Sequence, residues 1–196
     1  MSILNKIRFF VGAMFLVAIN TVSATVIDFD GLSGADGSDF TTYSSNGFMV
    51  TAVWETWVED HTFGAGIPSV STTDSGILRV NRADGELFIF GGFDVGTLIQ
   101  NITIEGWQYT GYDATDAVLY STTGTFTGGG SWDIISGDAR EISRLDLRVN
   151  RASLGAGLER ISLDNIRVNA VPEPATLALL VLGLAGIGYS RQKKKA

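Results

Sequence analysis

Four residues whose side chains can exchange protons lie close together in the sequence: Glu55, Glu59, Asp60 and His61. A pair of carboxylates is the arrangement that hydrolyses glycosidic bonds. The sequence is rich in acidic residues, however, so pairs of this kind also arise by chance. His61 and a serine could form a hydrolase dyad, but no Gly-x-Ser-x-Gly sequence supports one. We therefore expect a protein that is not an enzyme, with glycoside hydrolysis through Glu55 or Glu59 as an alternative.

Aromatic residues are the second group that could bind a ligand. An exposed ring can stack on the apolar face of a sugar, while nearby polar side chains bond the sugar hydroxyls. Alternate residues of a strand share a face, so Trp107 and Tyr109 lie on one side and Gln108 on the other. The alternative for each ring is a place in the core, where tryptophan is usually buried. The candidate glycan contacts are Trp54, Trp57, Trp107 and Tyr109.

Two further acidic residues, Asp28 and Asp30, are spaced two apart and share one face of a predicted strand. Carboxylate oxygens of this kind are ligands that calcium prefers. The alternative is that both side chains cap the edge of a sheet and face water.

Composition limits the classes of function. Between residues 25 and 170 the chain has eight arginines, no lysine and 20 acidic residues, a formal net charge of −12. This charge repels nucleic acid and anionic lipid but is compatible with bound cations, and it also has a plain explanation in solubility. The chain has no cysteine, which excludes disulfides and thiolate zinc sites. Its single histidine leaves little room for a multi-histidine zinc site.

Short β-rich runs separated by Gly, Asp, Ser and Thr clusters predict an all-β domain. Side chains alternate between apolar and polar in several of these runs, which indicates one buried and one solvated face. We predict an antiparallel β-sandwich over residues 25–170. The predicted strands are Val26–Phe29, Phe48–Val53, Ile77–Val80, Leu87–Phe90, Leu98–Glu105, Ala117–Tyr120, Ile142–Val149 and Ile161–Val168.

The last predicted strand contains an irregularity. Ile161 and Leu163 occupy odd positions, whereas Ile166 and Val168 occupy even positions. The apolar face therefore changes parity at Asp164 and Asn165, and this change predicts a β-bulge there.

The N-terminal segment, residues 1–24, has the pattern of a secretory signal peptide. Two basic residues precede an uncharged run from Phe9 to Ile19, and Val22-Ser23-Ala24 supplies small residues for a signal peptidase. We predict cleavage between Ala24 and Thr25.

The C-terminal segment, residues 171–196, has the pattern of a membrane-targeting signal. Pro172-Glu173-Pro174 precedes an uncharged run from Ala175 to Tyr189 and a cluster of basic residues. As a helix this run spans roughly 23 Å, which is short for a hydrocarbon core of about 30 Å. The basic cluster predicts a single transmembrane helix with the C-terminus in the cytoplasm and the domain outside. The alternative to processing is an anchor that is never cut.

Together the Pro-Glu-Pro sequence, the run Leu182–Gly188 and the basic end resemble a PEP-CTERM sorting signal. The resemblance implies recognition by an exosortase, a membrane-embedded protease-transpeptidase that acts at Pro172, Glu173 and Pro174. It also implies a diderm bacterium that secretes exopolysaccharide. We expect the protein to be held transiently in the inner membrane and then to reside at the cell surface or in the extracellular matrix.

The domain itself resembles the jelly-roll domains that precede such signals and that are similar to carbohydrate-binding modules. The matching sequences are Val26–Leu32, Gly111–Ala114 and Leu163–Ile166. In domains of this kind the first and last strands lie close, which implies that Asp164 and Asn165 could join Asp28 and Asp30 around one calcium ion. We expect a structural or adhesive role with exopolysaccharide in the matrix or a biofilm, with a calcium-dependent carbohydrate-binding module as an alternative.

Overall fold

The computed structural model describes residues 24–62, 68–73, 75–97, 103–127, 130, 132–150 and 160–170. All the regular secondary structure in these residues is β-strand. The strands, in chain order, are β1 Ala24–Ile27, β2 Asp39–Phe40, β3 Thr42–Ser45, β4 Phe48–Trp54, β5 Trp57–Asp60, β6 Ser69–Thr72, β7 Gly76–Arg82, β8 Phe88–Thr97, β9 Thr103–Tyr112, β10 Val118–Thr127, β11 Trp132–Ile142, β12 Arg144–Val149 and β13 Ile161–Ala170.

The strands form two antiparallel sheets. Sheet I has the order β11–β8–β13–β6–β5–β2, and β1 also pairs with β13. Sheet II has the order β10–β9–β12–β7–β4–β3. Because β6 pairs with the first half of β13 and β1 with the second half, these two short strands lie end to end along β13. The predicted antiparallel β-sandwich is confirmed.

Aromatic side chains from the inner faces of the sheets meet in the core. Phe90 of β8 lies edge-to-face with Tyr109 of β9, with 5.0 Å between ring centroids. Phe88 of β8 packs in the same way on Phe48 of β4, with a centroid separation of 5.4 Å. Such ring pairs add specific geometry to the burial of apolar area. They hold sheet I and sheet II together at the N-terminal end of β8.

Strand β12 has the predicted alternation of apolar and charged residues, which shows the two faces of sheet II. Its buried residues are Leu145, Leu147 and Val149. The intervening residues, which point to the opposite face, are Arg144, Asp146 and Arg148. This outer face of sheet II is the surface on which the candidate site lies.

Trp57 of β5 links sheet I to sheet II at a glycine. Its side chain is fully buried. At Gly76 of β7 an added Cβ would come within 2.7 Å of the Trp57 Nε1 atom. Glycine is therefore required here by the close approach of the indole ring, because any side chain would displace it.

The predicted bulge in the last strand is confirmed. The pairing of β13 with β8 shifts between Asp164 and Arg167, and Asn165 has a left-handed backbone with φ of 47°. Asn165 tolerates this conformation better than most residues, and its Nδ2 donates to Asp94 Oδ2 at 3.0 Å. The bulge lets Leu163 and Ile166 both point into the core.

Several strands differ from their predicted bounds. Strand β9 runs to Tyr112, well past the predicted end at Glu105, and residues 98–102 of that prediction lie outside the described residues. Strands β2, β3, β5, β6 and β11 were not predicted. Most of them are short or polar, so they lack the apolar alternation that marks a strand in the sequence.

Candidate functional site

Five side chains lie side by side across the outer face of sheet II, and we call them the transverse row. The register pairs Trp54 with Ile77, Ile77 with Arg148, Arg148 with Gln108, and Gln108 with Thr123. Directly opposed residues of antiparallel strands project from the same face. With about 4.8 Å between strands, the row spans about 19 Å from β4 to β10. It is long enough to contact an extended polymer.

Trp54 reaches the outer face because of an irregularity in β4. Phe48 and Val50 point into the core, and the same parity would send Trp54 inward. The pairing of β4 with β7 shifts by one residue between Ala52 and Trp54, which turns the indole outward. The Trp54 side chain is 42% exposed. A large aromatic ring is thereby presented to solvent at one end of the row.

Arg148 stands at the centre of the row and differs from its two arginine neighbours. Arg79 makes a bidentate pair with Asp146, at 2.9 and 3.0 Å. Arg144 pairs with Asp116 and stacks on the Tyr112 ring. Within the part of the chain that the structure describes, Arg148 makes no ion pair and no side-chain hydrogen bond.

Among the described residues, the Arg148 head group contacts an aromatic ring. Its guanidinium carbon lies 5.3 Å from the centroid of the Trp54 ring, a cation–π distance. Its Nε atom is buried and finds no hydrogen-bond partner among the residues that the structure describes. The rest of the guanidinium remains available as a donor.

A cavity of about 390 Å³ opens beside Arg148. Its lining residues are Gly106, Trp107, Gln108, Thr123, Gly124, Thr125, Arg148 and Asn150. Gln108 donates its Nε2 to Ser121 Oγ at 2.8 Å, and Asn150 accepts from Ser75 Oγ at 3.0 Å through its Oδ1. In the described part of the chain, Gln108 Oε1 and Asn150 Nδ2 have no partner and remain as an acceptor and a donor. The cavity therefore combines a cation with polar groups that can bond hydroxyls.

Trp107 forms one side of the cavity from a fixed position. Its ring stacks in parallel on Tyr109, with centroids 5.8 Å apart, and lies edge-to-face with Phe93. Its Nε1 donates to the Thr125 carbonyl oxygen at 3.2 Å. An added Cβ at Gly124 would come within 2.2 Å of the ring, so glycine is required there. Trp107 is half-buried and rigid rather than freely exposed.

The structure corrects two of the four predicted glycan contacts. Trp57 is fully buried, and Tyr109 is only 5% exposed. A ring must present a face to solvent in order to stack on a sugar, so neither can act as a contact in this fold. Trp107 and Tyr109 share a face as predicted, but that face is turned toward the core. Trp54 and Trp107 remain as candidates.

The residues of the predicted acid–base cluster take different positions, and two of them make hydrogen bonds that hold loops. Glu59 accepts from the Gly34 amide at 2.7 Å and lies 3.4 Å from His61 Nε2. Asp60 is buried, where it accepts from Thr62 through Oδ1. Glu55 is exposed and has a left-handed backbone, with φ of 59°. Glu59 and Asp60 thus close the loops around β5.

The predicted calcium ligands come from neighbouring parts of sheet I. Ile27 pairs with Ile166, so Asp28 follows β1 beside the bulge that carries Asp164 and Asn165. Asp164 is buried, and this burial raises the pKa of its carboxyl to about 7. The pKa of about 7 is the net effect of this burial, which is the largest cause, of the Asn165 amide, which lowers it, and of the negative charges of three other aspartates, which raise it; the sequence did not suggest one of the three. These aspartates are Asp94, Asp30 and Asp28.

These carboxylates do not form a ready metal centre as they stand. Among the described residues, no group of three or more histidine, aspartate or glutamate side chains has the arrangement to hold a metal ion. Part of the set is already engaged, since Asp94 Oδ1 accepts from Arg167 at 2.6 Å. Calcium binding at Asp28, Asp30, Asp164 and Asn165 stays a prediction.

One of the two predicted processing sites falls among the described residues. Ala24 and Thr25 are the first residues of β1 and pair with Asn169 and Val168. Pro172, Glu173 and Pro174, and the predicted transmembrane helix, lie outside the described residues. Where the structure does describe the chain, it contains no helix of the length and apolarity needed to cross a membrane.

Residues 170–194 match the PEP-CTERM protein-sorting motif. The chain carries a PEP-CTERM signal. Such a signal implies export and membrane-associated processing by an exosortase, as the resemblance of the tail predicted. The signal peptide remains a prediction.

Solved structures similar to this chain include a DUF4465 family protein from Bacteroides caccae, at 10% identity and a TM-score of 0.47, covering 76% of this chain and 100% of that one. A family 29 carbohydrate-binding module from Piromyces equi matches at 11% identity and a TM-score of 0.43, over 81% and 99% of the two chains. The CBM22-1 xylan-binding domain of Paenibacillus barcinonensis Xyn10C matches at 14% identity and a TM-score of 0.44, over 80% and 100%. None of these likenesses assigns a ligand to this chain. No curated protein matches it significantly.

Proposed function

We propose that this PEP-CTERM protein is an exported, non-catalytic component of the cell surface or extracellular matrix that contacts exopolysaccharide through the outer face of sheet II. The observation that carries the proposal is the transverse row, in which an exposed Trp54 ring lies in line with polar side chains beside an open cavity. An aromatic platform with flanking hydrogen-bonding groups suits the apolar faces and hydroxyls of sugars. The role is adhesive or structural.

Co-sedimentation of the full chain, purified in detergent micelles, with the exopolysaccharide of the producing cells tests this function. Trp54→Ala is expected to weaken binding about 3- to 10-fold, because it removes the exposed ring. Ile134→Ala is the matched control, since Ile134 is 74% exposed on β11 of the other sheet. Absence of wild-type binding, or equal losses in the two variants, would contradict the proposal.

Glycoside hydrolysis is the enzymatic alternative. It requires two carboxylates free to act on one bond, whereas Glu59 is engaged by Gly34 and lies beside His61. We propose that Glu59 has a structural role. Turnover of matrix polysaccharide that disappears in both Glu55→Gln and Glu59→Gln would favour hydrolysis instead.

A calcium-dependent module is the remaining alternative. The buried Asp164 carboxyl, with acidic neighbours that raise its pKa, supports an affinity for cations at the β1–β13 junction. This alternative predicts calcium heat in isothermal titration and a higher melting temperature with calcium. Neither effect is expected if the carboxylates remain arranged as they are.

A further inference from the structure

The guanidinium of Arg148 has no hydrogen-bond acceptor among the described residues. Neither its Nε, which is buried, nor its two Nη groups, which reach the surface, has a hydrogen-bond partner in the part of the chain that the structure describes. Donors left unbonded at a partly buried position are unfavourable, and a ligand can reach the Nη groups. The fork of donors on a guanidinium matches the paired oxygens of a carboxylate or a phosphate. The missing partner is therefore an acceptor, and a carboxylate fits it.

Two carboxylates on described parts of sheet II and its turns, Asp146 and Asp116, are already paired with other arginines. Both oxygens of Asp146 are already bonded by Arg79. Asp116 pairs with Arg144, two rows away. If either aspartate turned toward Arg148, its present arginine partner would be left unpaired, which is about as unfavourable as leaving Arg148 unpaired. Among these five described residues, three guanidinium groups share two carboxylates, although the domain as a whole is strongly acidic.

The surroundings of Arg148 suit a sugar that carries the carboxylate. On one side the Trp54 ring packs on the guanidinium and extends the row toward solvent. On the other side Gln108 and Asn150 offer an acceptor and a donor within the cavity lining. A sugar ring over the row can place hydroxyls on these amides while its acidic group meets Arg148.

The net charge of −12 repels a polyanion at long range, but it does not prevent contact. At 0.15 M salt, exposed charges separated by more than about 8 Å are largely screened. The pairing of a guanidinium with a carboxylate acts at hydrogen-bond distance, so it survives this screening. At physiological salt, therefore, the pairing with Arg148 contributes more to the binding of a carboxylate than the net charge of the domain does.

We propose that the Arg148 cavity binds the carboxylate of an acidic sugar, such as a uronate, in the polysaccharide that the protein contacts. This inference rests on the proposed function and names the class of glycan. Gln108, Asn150 and Thr123 bond the hydroxyls of the same sugar or the next one.

Affinity electrophoresis of the full chain in detergent tests the inference with two polymers of one backbone. Polygalacturonate carries free carboxylates, and its fully methyl-esterified form carries none. Both gels contain 0.15 M NaCl and EDTA, which prevents bridging by calcium. We expect the wild type to bind polygalacturonate at least about tenfold more tightly than the ester. Equal affinities, or a preference for the ester, would overturn the inference.

Variants separate the local cation from general charge. Arg148→Gln is expected to reduce the preference for polygalacturonate to near unity, whereas Arg148→Lys keeps the charge and part of the preference. Arg140→Gln is the matched control, because Arg140 carries the same charge on β11 and pairs with Asp138. Loss of the preference in Arg140→Gln to the same extent would overturn the inference.

The outcomes also separate this inference from the proposed function. Binding to the cells' own exopolysaccharide that depends on Trp54, with no difference between the two pectic polymers, refutes the acidic-sugar inference alone. No Trp54-dependent binding to any of the polymers refutes both.

Discussion

The guanidinium carbon of Arg148 lies 5.3 Å from the Trp54 ring centroid, across the width of β7. This contact joins an exposed aromatic ring to a cation that has no carboxylate partner among the described residues. Neither residue could have been paired with the other from the sequence, since 94 positions separate them. The contact organises the outer face of sheet II and motivates the first prediction.

Removal of the Trp54 ring should reduce ligand binding without a matching loss of stability. Trp54 is 42% exposed, so Trp54→Ala is expected to change the free energy of unfolding by less than about 1 kcal/mol. Urea denaturation followed by circular dichroism measures this change. Trp54→Phe, which keeps an aromatic face, should retain most of the affinity for exopolysaccharide. A large loss of stability in Trp54→Ala would mean that the ring is structural.

Asp164 should make the stability depend on pH when metal is removed. An unfolded aspartate ionises near pH 4, whereas burial raises the pKa of Asp164 to about 7 in the folded protein. The folded state therefore holds its proton longer, and stability falls as the pH rises from about 4 to about 7. The loss is on the order of 4 kcal/mol at pH 8.

Asp164→Asn removes this ionisation and serves as the comparison. In EDTA it should melt at a higher temperature than the wild type at pH 8, with the difference vanishing below pH 4. Calcium should raise the wild-type melting temperature at pH 8 only if it binds the carboxylates at this junction. Melting temperatures of wild type and variant that run parallel from pH 4 to 8 in EDTA would contradict the prediction.

A core substitution in β12 should be far more costly than one on the row. Leu147 is fully buried between the sheets, and Leu147→Ala is expected to destabilise the fold by about 2–5 kcal/mol. Thr123→Ala, at an exposed position of the row, should remain within about 0.5 kcal/mol of wild type. Chemical denaturation of both variants checks this contrast. Similar costs would mean that the two faces of sheet II are assigned wrongly.

The bulge in β13 should depend on the residue that occupies its left-handed position. Asn165→Val forces a β-branched residue to φ near 47° and removes the donor to Asp94, so we expect a loss of about 2–4 kcal/mol. Asn165→Gly keeps the backbone conformation and should lose less. Thermal unfolding of the two variants measures the difference, and an equal or greater loss in Asn165→Gly would show that the backbone conformation is unimportant.

Processing at both ends should leave a defined mature species. Intact mass spectrometry of the protein from native cells is expected to show a chain that begins at Thr25 and ends near Pro174. Deletion of the exosortase gene should retain residues beyond Pro174. A native chain that keeps its basic C-terminal end in cells with an active exosortase would favour an uncut anchor.

Local patterns in the sequence were sufficient to predict the β-sandwich and the bulge in β13. The alternation of Leu145, Leu147 and Val149 with charged residues reflects burial on one face of β12, and the parity change at Asp164 reflects the bulge directly. Strand β6 shows the limit of this signal. Its residues Ser69–Thr72 are all buried, so polar side chains lie where the pattern expects apolar ones. Edge strand β11 is polar and exposed along much of its length, so it too lacks the pattern.

The candidate site depended on pairings that local patterns do not contain. Arg148 looks like any outward residue of β12 until the register places Arg79 beside Asp146 and Arg144 near Asp116. Asp94 likewise joined the acidic group only through the pairing of β8 with β13. Among the rings, exposure could not be read from residue type, because a bulge turns Trp54 of β4 outward whereas Trp57 of β5 lies in the core.

Hydroxyl-radical footprinting with and without saturating exopolysaccharide shows which face of the sandwich holds the polymer. Trp54 on sheet II and Ile134 on sheet I are both exposed and both react with radicals when the protein is free. Polymer bound to the transverse row should protect Trp54 and leave Ile134 labelled as before. Protection of Ile134 with unchanged labelling of Trp54 would place the polymer on the opposite sheet and contradict the assignment.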